Sequence, residues 1–169
     1  MDLFSGQEKY TIDLCSLREM FDPNRKYWHG VLGSLLADVE KSIADGIVIS
    51  HIEVLKEIKK GGDDELSHWV SDKEFMFKDY DSIVEAPIVS DIGSKYPGWV
   101  AGSGLSSLKA DPWLIAQAKG RGLTVITEEI LITGSSPKEE KLHIPNVCKE
   151  YGVKCFDLFS FIKEMGWKY

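Results

Sequence analysis

The feature that most constrains this chain is a regular alternation of short apolar runs with segments of helical periodicity. Tyr10-Thr11-Ile12-Asp13-Leu14, Ile47-Val48-Ile49, Leu123-Thr124-Val125-Ile126-Thr127 and Val153-Lys154-Cys155-Phe156 have strand length and β-branched or aromatic content. From Trp28 to about Ala44, apolar residues recur at Val31, Leu32, Leu35, Leu36, Val39 and Ile43, the spacing of a helix with one buried face. Further helices are expected from Ser50 or His51 to Gly61-Gly62, from Asp63 or Asp64 through Val70, and from about Asp81 to Lys95 with a distortion at Pro87. Others should start at Asp111-Pro112, lie near Val147, and cover Leu158 to Met165. Ser16 is placed to cap a brief helix after the first strand. The stretch from Pro97 to Ser107 reads as a glycine-rich loop. Strands separated by helices must pair in parallel through crossovers. The expected fold class is therefore α/β, a three-layer α/β/α sandwich around a central, mostly parallel sheet, in one domain over residues 1–169.

Composition narrows the function classes. A hydrophobic fraction of 43% is enough to fill one core, which argues against disorder. No apolar run approaches the ~20 residues that span a bilayer. Met1-Asp2-Leu3-Phe4-Ser5 lacks a basic region followed by an apolar one, so no secretory leader is expected. Cys15, Cys148 and Cys155 form no disulfide framework and read as free thiols of a cytoplasmic protein. The net charge of −7 opposes a broad basic surface for nucleic acid. It leaves room for contact with a single phosphate through a divalent metal, and it suits a basic partner.

The acids carry the chemistry. Asp13 stands near the end of the first strand, and Glu53 and Glu57 lie in the helix after the second. Asp111 opens a helix, and Glu128-Glu129 follow the third strand. In parallel sheets, ligands bind in the crevice beyond the carboxyl ends of the strands, so this order can gather several carboxylates. Hard oxygen ligands of this kind suit Mg²⁺ or Mn²⁺. Each acid has a plainer reading. Asp111 before Pro112 has the form of an N-cap, Glu53 and Glu57 can pair with Lys56 and Lys60, and adjacent glutamates are by default solvated. Asp13 in an apolar strand needs a partner or a special role; its structural alternative is bonding to nearby turn amides, with Ser16 close by.

These residues match a family pattern. Tyr10-Thr11-Ile12-Asp13-Leu14-Cys15-Ser16 resembles the opening strand of PIN domains, and Ile49-Ser50-His51-Ile52-Glu53-Val54-Leu55-Lys56-Glu57-Ile58 resembles their second motif. Ala110-Asp111-Pro112-Trp113-Leu114-Ile115-Ala116-Gln117-Ala118 and Val125-Ile126-Thr127-Glu128-Glu129 are similar to the third and fourth. The resemblance spans residues 10 to about 160 in motif order. It is nearest to small stand-alone prokaryotic members, including VapC-like toxins, and to a branch with a tail like Gly166-Trp167-Lys168-Tyr169. It implies a Mg²⁺- or Mn²⁺-dependent endoribonuclease acting on single-stranded RNA. Asp13, Glu57, Asp111 and Glu129 would be the metal ligands, with Glu53 the runner-up to Glu57. Ser16 and Thr127 would orient water or phosphate. Glu129 stands where Asp is commoner. A protein antitoxin and a homodimer are the partners the resemblance implies. Lys56, Lys59, Lys60, Lys119 and Arg121 are the cations available for an RNA track.

Other chemistries fit less well. An aspartyl phosphatase would place a second Asp where Cys15 stands, and a thiol phosphatase on Cys15 lacks a following Arg in a phosphate loop. A zinc site of His143, Cys148 and Cys155 lacks close-paired ligands. The alternative of a different class is a PIN-fold binding module without nuclease activity. Trp99 is then a candidate for base stacking, against its simpler role as a loop anchor.

Overall fold

The computed structural model describes residues 7–101, 109–134, 138 and 141–169. Its five strands are β1 (Tyr10–Ile12), β2 (Val48–His51), β3 (Phe77–Lys78), β4 (Thr124–Ile126) and β5 (Cys155–Phe156). They pair in parallel in the order β3-β2-β1-β4-β5. β1 is central: Thr11 faces Ile49 on one side and Val125 on the other. That position demands a strand covered on both faces, and all three residues of β1 are buried.

Nine α-helices among the described residues flank the sheet: α1 (Leu14–Phe21), α2 (Gly33–Ala44), α3 (Ile52–Lys60), α4 (Glu65–Val70), α5 (Glu85–Lys95), α6 (Pro97–Ala101), α7 (Ala110–Arg121), α8 (Ile144–Tyr151) and α9 (Leu158–Glu164). In one layer α1, α3 and α4 touch one another. In the other, α7 packs on β1, β2 and β4 and against α5 and α8. The result is a three-layer α/β/α sandwich whose core includes Ile12, Leu17, Leu35, Ile49, Leu114 and Phe161.

Helix starts follow local chemistry. Asp13 caps α1 by accepting from Ser16 N at 2.7 Å, and Asp157 caps α9 by accepting from Ser160 N. Asp64 and Ser67 form a reciprocal cap on α4. α7 ends at Gly122, whose φ of +69° is the left-handed geometry that favours glycine.

Several expectations need correction. The sheet has a fifth strand, β3; at two residues it is too short for any alternation to register. Asp13, not Ser16, caps α1, because its carboxylate sits three residues before an amide that has no intrahelical partner. The second helix starts at Gly33 rather than Trp28. α5 starts at Glu85 rather than Asp81, which puts Pro87 in the first turn, where its missing N–H costs no bond, so no distortion is needed. The N-cap of α7 is Lys109, so Asp111 lies inside the first turn instead of capping it. Pro97–Ala101 is helical, and the rest of the expected loop, residues 102–108, lies outside the described residues.

A polar bridge ties α7 to the strands. Thr11 Oγ1 donates to Gln117 Oε1 at 2.6 Å, and Gln117 Nε2 donates to Ser50 O at 3.1 Å. Ser50 Oγ donates to Ile12 O at 2.7 Å. Each of these groups is buried and satisfied, which sets where α7 stands over β1 and β2.

Candidate active site

From β1 the chain runs outward to β2 and β3, then crosses back to β4 and β5. The order therefore reverses between β1 and β4, and the segments leaving those two strands diverge over a crevice. Asp13 follows β1, with its amide donating to Ile126 O at 3.1 Å, and Thr127, Glu128 and Glu129 follow β4. A cleft of about 600 Å³ opens there, lined by Asp13, Glu57, Asp111 and Glu129 together with Arg18 and Lys109. The four acids come from four separate elements of the chain.

Three of the four carboxylates are held. Asp13 Oδ1 accepts from Ser16 N, and Oδ2 accepts from Thr127 Oγ1 at 2.6 Å. Glu57 Oε1 accepts from Ala110 N at 3.0 Å, the amide that opens α7. Glu129 Oε2 accepts from Ile144 N at 2.7 Å, at the start of α8, while Glu129 N donates to Thr127 Oγ1 at 3.1 Å. Asp111 is held by no hydrogen bond among the described residues, and its surroundings are burial and charge alone.

The electrostatics follow from this crowding. Burial pushes Asp111 up to about 8, helped by Glu129, Asp13 and Glu57 and opposed by Lys109. Burial also pushes Asp13 up to about 6, against the hydrogen bonds from Thr127 and Ser16. The Cys15 thiol beside them rises to about 12, from burial and then from Asp13 and Glu129, so it stays protonated and is no nucleophile near neutral pH. Crowded carboxylates of this kind are relieved by protons or by a cation, and an all-oxygen set matches a hard divalent ion. Among the described residues, however, no group of three or more His, Cys, Asp or Glu side chains is drawn together closely enough to hold an ion directly. The donor chemistry fits Mg²⁺ or Mn²⁺, and the spread of the acids fits an ion that keeps several waters.

The family described as Domain of unknown function (DUF4411) matches residues 10–169. The chain belongs to the DUF4411 family. No curated protein matches it.

Within this DUF4411 chain, Glu53 and Glu57 separate clearly. Glu53 pairs with Lys56 at 2.8 Å and accepts from Tyr80 OH, while Glu57, one turn on, lines the cleft. Glu57 does not pair with Lys60; it meets the α7 amide instead. Glu128 and Glu129 are not solvated neighbours either. Both are half-buried, and Glu128 Oε1 accepts from Leu158 N at 2.6 Å, at the start of α9. Ser16 and Thr127 are buried and do not line the cleft; the Ser16 amide and the Thr127 hydroxyl reach Asp13 rather than solvent.

The DUF4411 structure also moves the cations. Lys56, Lys59, Lys119 and Arg121 are engaged by Glu53, Glu74, Tyr151 O and Glu8. The cations of the cleft are Arg18, Arg25 and Lys109, which sequence reasoning passed over. A signal existed for the first: Cys15, Arg18, Glu19 and Asp22 share one face of α1, next to its cap Asp13. Trp99 is buried and donates Nε1–H to Leu142 O at 2.8 Å, the role of an anchor. His143 Nδ1 lies 2.8 Å from Ile130 O, and the three cysteines are free. No helix among the described residues is long and apolar enough to cross a membrane.

Proposed function

We propose that this chain is a Mg²⁺- or Mn²⁺-dependent endoribonuclease of the PIN type, hydrolysing phosphodiester bonds in single-stranded RNA. The observation that carries the reading is the meeting of Asp13, Glu57, Asp111 and Glu129 in one cleft at the sheet's switch point, although they lie far apart in sequence. Asp13, Glu57, Asp111 and Glu129 would hold the ion, in part through water. A bound divalent ion would supply a water of lowered pKa and neutralise charge at the attacked phosphate.

The protein's own part is to orient these carboxylates. Ser16 N and Thr127 Oγ1 hold both oxygens of Asp13, Ala110 N holds Glu57, and Ile144 N holds Glu129, so each keeps a defined direction without substrate. The raised value of Asp111 marks it as the acid that most needs a counter-charge. By its resemblance to VapC-like proteins, the chain acts as the toxin of a toxin–antitoxin pair. A protein antitoxin would cover the cleft, and two copies would form a homodimer.

The second reading, a PIN-fold binding module without nuclease activity, is favoured by the open spacing of the acids, which close on no ion by themselves. One experiment separates the two. Wild type and Asp13→Asn are incubated with structured and single-stranded RNAs in Mn²⁺, Mg²⁺ or EDTA. The nuclease reading expects cleavage that needs metal and is lost in Asp13→Asn. Intact RNA together with no divalent-ion binding by calorimetry would leave the binding module standing.

A further inference from the structure

We propose that Arg18 is the phosphate-holding cation of the cleft, binding the substrate backbone at a phosphodiester next to the one at the acids. The inference rests on the nuclease reading above and names how a polyanion can be held by a cleft rich in negative charge.

Of the cations lining the cleft, Arg25 is engaged by Glu19 at 3.4 Å and Asp22 at 3.5 Å. Lys109 lies 5.9 Å from the centre of the Trp99 ring and bears on Asp111, whose carboxyl it lowers. The Arg18 side chain is exposed and makes no ion pair or hydrogen bond among the described residues. Of the other basic residues expected to form a track, Lys56, Lys59, Lys119 and Arg121 are already engaged by other groups, and Lys60 does not line the cleft.

Arg18 reaches the end of α3. Gly61, which ends α3, lies against it: a Cβ at Gly61 would come within 3.3 Å of Arg18 Nη2. A guanidinium beside the C-terminal end of a helix is favoured by the helix dipole, which keeps it near the cleft without neutralising it. Arg18 stands five residues beyond Asp13, ~7.5 Å along the axis of α1 at ~1.5 Å per residue. It is therefore displaced from Asp13 by more than a turn along α1, which suits a neighbouring phosphate rather than the attacked one. The planar fork of Arg matches two oxygens of a phosphate, a fit Lys does not reproduce.

The test measures cleavage of a single-stranded RNA oligonucleotide in Mn²⁺ by wild type, Arg18→Ala and Arg18→Lys. It also measures binding of the same oligonucleotide by fluorescence anisotropy in Ca²⁺, and Mn²⁺ affinity by calorimetry. Arg18→Ala should raise KM roughly tenfold or more, the size of one lost charge-assisted bond, with kcat and Mn²⁺ affinity little changed. It should also flatten the slope of log affinity against log salt by about 0.7, the value for one phosphate contact on a single strand. Arg18→Lys should keep the salt slope and recover part of the affinity. Unchanged KM, affinity and salt slope in Arg18→Ala would overturn the proposal while leaving the nuclease reading intact. Binding that depends on Arg18 without any cleavage would keep the proposal and remove the nuclease reading. Absence of both binding and cleavage in wild type overturns both.

Discussion

Thr127 Oγ1 donates to Asp13 Oδ2 across 2.6 Å, fastening the residue after β4 to the residue after β1. The same oxygen accepts the amide of Glu129, so one buried hydroxyl orients two of the four acids. Replacing Thr127 by Val keeps the shape and removes the hydroxyl. Mn²⁺ affinity and cleavage should then fall about 10–100-fold, the usual effect of losing a group that orients a ligand. Thr127→Ser should retain most of both. Equal metal affinity in Thr127→Val and wild type, measured by calorimetry, would show that Asp13 needs no such support.

Glu53 and Glu57 are one helical turn apart and should behave oppositely. Glu57→Gln should abolish metal-dependent cleavage, because it removes a cleft charge and weakens the hold on the first amide of α7. Glu53→Gln should leave cleavage within about twofold and stability within about 1 kcal/mol, as expected of a partly exposed pair with Lys56 that lies outside the cleft. Turnover assays and urea melts on both variants check this, and loss of activity in Glu53→Gln alone would reverse the assignment.

The stability of the metal-free protein should fall as pH rises from about 4 to about 8. Asp13 and Asp111 keep their protons in the folded state to about 6 and about 8, whereas in the unfolded chain both are released near the ordinary aspartate value of 3.8. Over that window the folded state binds more protons, so rising pH favours unfolding. Thermal melts in EDTA should show the loss as a drop in Tm, ~2–4 °C for each kcal/mol in a domain of this size. Asp111→Asn should flatten the slope, and Mn²⁺ should restore stability most at the alkaline end. A Tm that climbs steadily from pH 4 to 8 in EDTA would contradict the crowding.

Gln117 is a structural test independent of catalysis. Gln117→Leu strands the buried Thr11 hydroxyl and one bond to Ser50 O, at a cost of about 1–3 kcal/mol for each group left unpaired. Denaturant melts should show a lowered midpoint with an unchanged m-value. A midpoint equal to wild type would mean that α7 is placed by apolar packing alone.

Much of the scaffold was legible in the sequence because its signals are local. β1, β2, β4 and β5 announced themselves as apolar runs, and α3, α7 and α9 as helical segments between them. β3 did not, since Phe77-Lys78 has no room for a pattern and becomes a strand only by pairing with Ser50 and His51. The placement of acids at the ends of β1 and β4 was also legible, because position in the strand–helix order decides it.

What the sequence determined by itself was the α/β class, the parallel sheet and the set of acids that could share its carboxyl edge. Only the tertiary structure decided which acids do so. It chose Glu57 over Glu53 because α3 presents that turn to the amide of Ala110, and it gave Glu128 and Glu129 to the starts of α9 and α8. It also placed Arg18, rather than Lys56, Lys59, Lys119 or Arg121, in the cleft as an exposed cation without an ion pair among the described residues. Periodicity reports which face of its own element a side chain occupies. The partner it meets there depends on how distant elements are brought together, and burial and charge then act on that meeting alone.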